Sequence, residues 1–146
     1  MKPFGRCTQM VSIPKRAEGA GNLLEEPCAV QLQHQEPVHV YVLGVISQAA
    51  VLYKTRQYQK ALIGYREAQQ YLEHLPHWHQ AQQWREYNLA TVLANISLIC
   101  LEQRLWQEAS EAAAVALVLR PQHASALRWQ SVAQRRLPHG NARQEC

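Results

Sequence analysis

The sequence predicts an all-α protein of about five helices folded as antiparallel hairpins. Three observations predict it. Apolar residues recur at steps of three and four, not in alternation, from residue 38 to residue 137. The breaks between these runs are short, which favours helices that turn back on their predecessors. One pattern occurs twice: Tyr58, Ala61, Tyr65 and Ala68 are followed 48 positions later by Trp106, Ala109, Ala113 and Ala116, with the same gaps of three, four and three, an aromatic at the first position and alanine at the second and fourth.

The first helix follows Pro37 and carries Leu43, Ile46, Ala49, Ala50 and Tyr53 on one face, ending near Thr55. A second begins at Tyr58 and continues through Leu62 and Leu72. Pro76 cannot lie inside a helix without losing a hydrogen bond and clashing with the preceding turn, so it separates the second helix from a third. That third helix is long, from about Trp78 to Gln103, with Trp84, Leu89, Val92, Leu93, Ile96, Ile99 and Cys100 at buried positions. The fourth spans Trp106 to Leu119, its alanines forming a narrow face that another helix can approach closely. The fifth runs from about Gln122 to Leu137, and Pro138 and Gly140 stop it.

Residues 1–37 hold Pro3, Pro14, Pro27 and Pro37 with three glycines and no periodic pattern, so a flexible N-terminal arm is expected, Leu23 to Glu26 reading as unstructured with a short helical turn as the alternative. Residues 138–146 read as a disordered tail. The helical repeat domain thus occupies 38–137.

An aromatic at the turn, alanines at the crossings and Pro121 at the end of the better-formed unit resemble the tetratricopeptide repeat, whose helix hairpins stack into a superhelix. The resemblance covers about residues 39–137. Ala49 and Ser97 stand where the family often has glycine. The 48-residue spacing exceeds the family period of ~34 by about fourteen, an extension similar to the three-repeat domain of the large immunophilin co-chaperones.

The resemblance implies a non-enzymatic scaffold or adaptor whose concave groove binds a protein or peptide. In chaperone-binding members, five polar side chains clamp the terminal carboxylate of an acidic tail. Those positions fall on Ile46, Ala50, Asn95, Ser125 and Trp129, and only Asn95 keeps the family's residue type. The usual clamp is therefore not expected. Leu43, Ile46, Ala50 and Tyr53, with Ala94, Leu98, Trp129 and Val132, describe a largely apolar groove, and Lys54, Asn95 and Arg128 are available to orient an occupant. A degenerate clamp for a chaperone tail is the alternative reading.

Composition narrows the other classes. The net charge of +4 is spread over the helices without a basic block, against nucleic acid as partner. Asp is absent and charged residues are 18%, which leaves little for carboxylate chemistry. No Ser/His/acid set or phosphate-binding loop can be assembled, so no catalytic residue and no cofactor is expected. His74, His77 and His79 are the one group that suggests a metal-responsive protein, but no Cys or Asp lies beside them and no metal site is expected. Cys7, Cys28, Cys100 and Cys146 form no CxxC pair and suit a reducing, cytoplasmic location, with nucleus or mitochondrion as alternatives. No run reaches the ~18 apolar residues of a membrane span. The outer face of the last helix, with Leu127, Val132 and Leu137, is a candidate for self-association.

Overall fold

The computed structural model describes residues 23–27, 37–75 and 79–138. Among them are five helices and no strand: α1 Pro37–Lys54, α2 Tyr58–Glu73, α3 His79–Glu102, α4 Trp106–Leu119 and α5 Ala124–Arg136. The chain is all-α, as its periodicity predicts. The helix bounds agree with the sequence reading to within a residue or two. The largest difference is at the start of α5, where the His123 ring nitrogen Nδ1 accepts from the Ala126 N–H at 3.3 Å. His123 thereby takes the N-cap, and the helix begins after it.

The α1–α2 and α3–α4 turns share one geometry. In the first, the Gln57 N–H donates to the Leu52 carbonyl at 2.8 Å and the Arg56 N–H to that of Tyr53 at 2.9 Å. In the second, Leu105 donates to Cys100 at 2.8 Å and Arg104 to Leu101 at 3.0 Å. Both are Schellman ends, in which a left-handed residue lets the chain reverse while the last carbonyls stay bonded. The internal repeat is therefore present in the backbone as well as in the spacing of side chains.

Side-chain ties give the helix directions. Tyr41 Oη donates to Glu67 Oε2 at 2.7 Å, and the rings of Tyr53 and Tyr58 lie 5.5 Å apart, so α1 and α2 are antiparallel. Where they cross, Ala49 faces Gly64 so closely that a Cβ on Gly64 would stand 3.0 Å from that of Ala49. At the α3–α4 crossing, Ser97 Oγ donates to the Ala109 carbonyl at 2.8 Å. The alanine faces are buried in both hairpins, Ala61 and Ala68 in α2 and Ala109, Ala113 and Ala116 in α4. His39 stacks on Trp84 at 4.3 Å near the starts of α1 and α3, and Tyr53 Oη donates to Glu102 at 3.1 Å near their ends. Those two helices consequently run parallel. The Arg136 guanidinium lies 5.2 Å from the Trp106 ring centre, joining the end of α5 to the start of α4.

The core is centred on α3, in which every residue from Asn88 to Cys100 is buried. A helix buried on all sides is one surrounded by others. Here α2, α4 and α5 all pack on it.

Candidate functional site

Burying α3 on every side raises the question of its polar residues, because a buried polar group without a partner costs about 1–3 kcal/mol. Asn88 donates to the Trp84 carbonyl at 2.9 Å, one turn back in its own helix. Ser97 is used at the crossing with α4. Asn95 differs: both of its bonds go to a residue 70 positions away. Its Oδ1 accepts from the Glu25 N–H at 2.9 Å, and its Nδ2 donates to the Glu25 carbonyl at 3.2 Å.

The N–H and C=O of one residue point to the same side in an extended chain, and antiparallel strands exchange two bonds that way. The Asn95 amide takes the place of the neighbouring strand. Its two bonds recognise peptide backbone and leave the side chain of the bound residue to be read elsewhere. That reading falls to α5, where Ser125 Oγ donates to Glu25 Oε2. The preceding residue, Leu24, is buried as part of the hydrophobic core. The stretch 23–27 lies within the expected arm of residues 1–37, yet it is joined to α3 and α5; Pro37 already belongs to α1, and residues 1–22 and 28–36 lie outside the described residues, as does the tail beyond 138.

Around this clasp, Arg120 places its guanidinium 4.4 Å from the Tyr87 ring centre. Burial pushes the Tyr87 phenol up, Arg120 opposes it and the Glu25 charge adds to it, so the carboxylate and the Arg120–Tyr87 pair share one electrostatic neighbourhood. One turn beyond Ser125, Trp129 is buried and its Nε1 has no acceptor among the described residues, while Arg128 lies 5.5 Å from the indole centre. Tyr65 is fully buried, and burial raises its phenol pKa against a smaller lowering by Asn95. Its hydroxyl has no hydrogen-bond partner among the described residues.

The residues expected to line a groove divide by burial. Ile46, Ala94 and Leu98 are at most 3% exposed and belong to the core, so none offers a free surface. Leu43, Ala50, Tyr53 and Val132 are half-buried, and Lys54 and Arg128 are exposed. Asn95 and Trp129 are buried, Asn95 beneath the Glu25 backbone. The structure thus brings Asn95 together with Ser125, a clamp position at which the chain does not keep the family's residue type. It also brings in Glu25, which lay in a stretch without periodicity. The one signal pointing to them was the superposition of Ser125 on a clamp position.

His74 Nδ1 lies 2.8 Å from the Gln70 carbonyl, which can only accept, so Nδ1 carries the proton and the ring caps the end of α2. His77 and the side chain of His79 lie outside what the structure describes, and among the described residues no group of three ligating side chains could hold a metal. No helix among the described residues is long and apolar enough to cross a membrane. Compared with the models of known families, with curated proteins and with solved structures, the chain gives no match.

Proposed function

We propose that this chain is a non-enzymatic interaction scaffold of the tetratricopeptide kind, an adaptor that holds a segment of a partner protein against α3 and α5. The observation that carries this reading is the double bond pair between Asn95 and Glu25. A buried amide whose donor and acceptor are both met by peptide backbone from a distant stretch is a means of holding an extended chain. The two equivalent hairpin turns and the alanine crossings support the repeat scaffold beneath it.

The alternative of a clamp for a terminal carboxylate fits less well. Asn95 holds an internal residue with chain continuing on both sides, and Arg128 is engaged with Trp129. A metal-centred role has no supporting observation, since among the described residues no group of three ligating side chains could hold an ion.

The test is site-specific photo-cross-linking in cytosolic extract. A photoreactive residue at Arg128 or Val132, beside the clasp, is expected to capture a discrete partner. One at Val118, 79% exposed on α4, is expected to capture none. Equal capture at all three positions, or none at any, overturns the reading.

A further inference from the structure

The clasp distinguishes three features of its occupant. Asn95 bonds the N–H and C=O of one residue, so the occupant is extended at that point. Ser125 donates to the carboxylate of that residue, and the Arg120–Tyr87 pair shares its electrostatic neighbourhood, so the residue is acidic. Leu24, immediately before it, is buried in the core cluster, so the preceding residue is a large apolar one. None of the three requires the occupant to be covalently joined to α1. Leu24 and Glu25 lie in the described stretch 23–27, and nine residues separate Pro27 from Pro37, the first residue of α1.

From this geometry we infer that the Asn95–Ser125 surface is a reader for an internal Leu–Glu step in an extended acidic segment of a partner protein. The chain's own Leu24–Glu25 is its resident occupant, which that partner displaces. The inference rests on the α3–α5 face being an interaction surface and adds the chemistry of what it takes. The resident segment is part of the same chain and so competes intramolecularly, and a free peptide of the same sequence competes poorly until the resident is weakened. Once it is weakened, apparent affinity rises by the factor that occupancy had withheld, at least about tenfold for a resident bound nine-tenths of the time.

The experiment is a fluorescence-anisotropy titration of the full chain with a labelled peptide of residues 20–27. The wild type is compared with the Leu24→Ala/Glu25→Ala chain. The double variant is expected to bind the peptide at least about tenfold more tightly than the wild type. A peptide with Gln in place of the glutamate at position 25 is expected to bind about tenfold more weakly, and Ser125→Ala in the same chain is expected to abolish that Glu/Gln difference. A purely structural role for Ser125 would not move that difference.

Should the double variant lose its helicity, the wild type still decides. Its Glu25 amide is expected to be protected from hydrogen exchange and to lose protection when excess peptide is added. Equal peptide affinity for wild type and a folded double variant overturns the inference, as does a Glu25 amide that exchanges freely. Failure here with Arg128 cross-links intact rejects the Leu–Glu chemistry alone, whereas loss of both rejects the scaffold reading too.

Discussion

Arg56 and Arg104 adopt the same left-handed backbone, φ 65° and 63°, at equivalent points of the α1–α2 and α3–α4 turns. Each is the reversing residue of a Schellman end, a place where glycine is usual because a Cβ costs about 1–2 kcal/mol in that conformation. Replacing either by glycine relieves the strain but adds backbone entropy to the unfolded chain. Arg56→Gly and Arg104→Gly are each expected to stabilise the fold by up to about 1 kcal/mol, seen as a higher urea midpoint with an unchanged m value. The two gains should add, since the turns share no partner.

Gly64 is a second position where the backbone sets the residue. A methyl there stands 3.0 Å from the Ala49 Cβ, and the two helices must move apart to admit it. Alanine's better helix propensity returns about 1 kcal/mol, and overpacking costs about 1–3. Gly64→Ala is expected to lose about 1 kcal/mol net in chemical denaturation, and combination with Ala49→Gly should recover most of the loss. Strict additivity in that double mutant cycle would count against the close approach.

The tyrosines predict alkaline sensitivity. Burial raises the phenols of Tyr53 and Tyr65, and hydrogen bonding to Glu67 brings Tyr41 up to about 12. A phenol whose folded pKa exceeds its unfolded value of 10.0 keeps its proton in the native state after the unfolded chain has lost it. Its stabilising contribution is complete below pH 10 and is lost as pH rises from 10 through the folded pKa. Thermal midpoints should therefore fall steeply above pH 10, less so in Tyr53→Phe.

Cys100 is fully buried, and burial pushes its thiol up to about 11. The thiolate that reacts with disulfides and alkylating agents is thus scarce at neutral pH and out of reach. Labelling at pH 8, located by peptide mapping, is expected at Cys100 only at the rate of global opening, and 6 M urea should expose it at once. Fast labelling under native conditions would falsify its assignment as a core residue.

Much of the fold can be read directly from residue types. The helix at Trp106 is legible because its aromatic, alanines and following proline act within one or two turns, and local spacing shows which residues share a face. The same locality explains the near agreement of helix bounds, and also the shift at α5, since the capping role of the His123 ring depends on a rotamer that spacing does not encode. The candidate site was less legible. Ile46 and Leu98 have the spacing of a groove lining, but lining and core differ only in which helix covers them, and periodicity records the face without recording its cover.

By itself, then, the sequence determined that the chain is helical, where its helices lie, and that two hairpins repeat, because these follow from contacts between near neighbours along the chain. Only the tertiary structure decided what Asn95 is for. Sequence placed it at a clamp position of an apolar helix, available to orient an occupant of a groove. Its partner stands 70 residues away in a stretch without periodic signal, and a pair so separated is specified by how α3 and α5 pack, not by any local pattern.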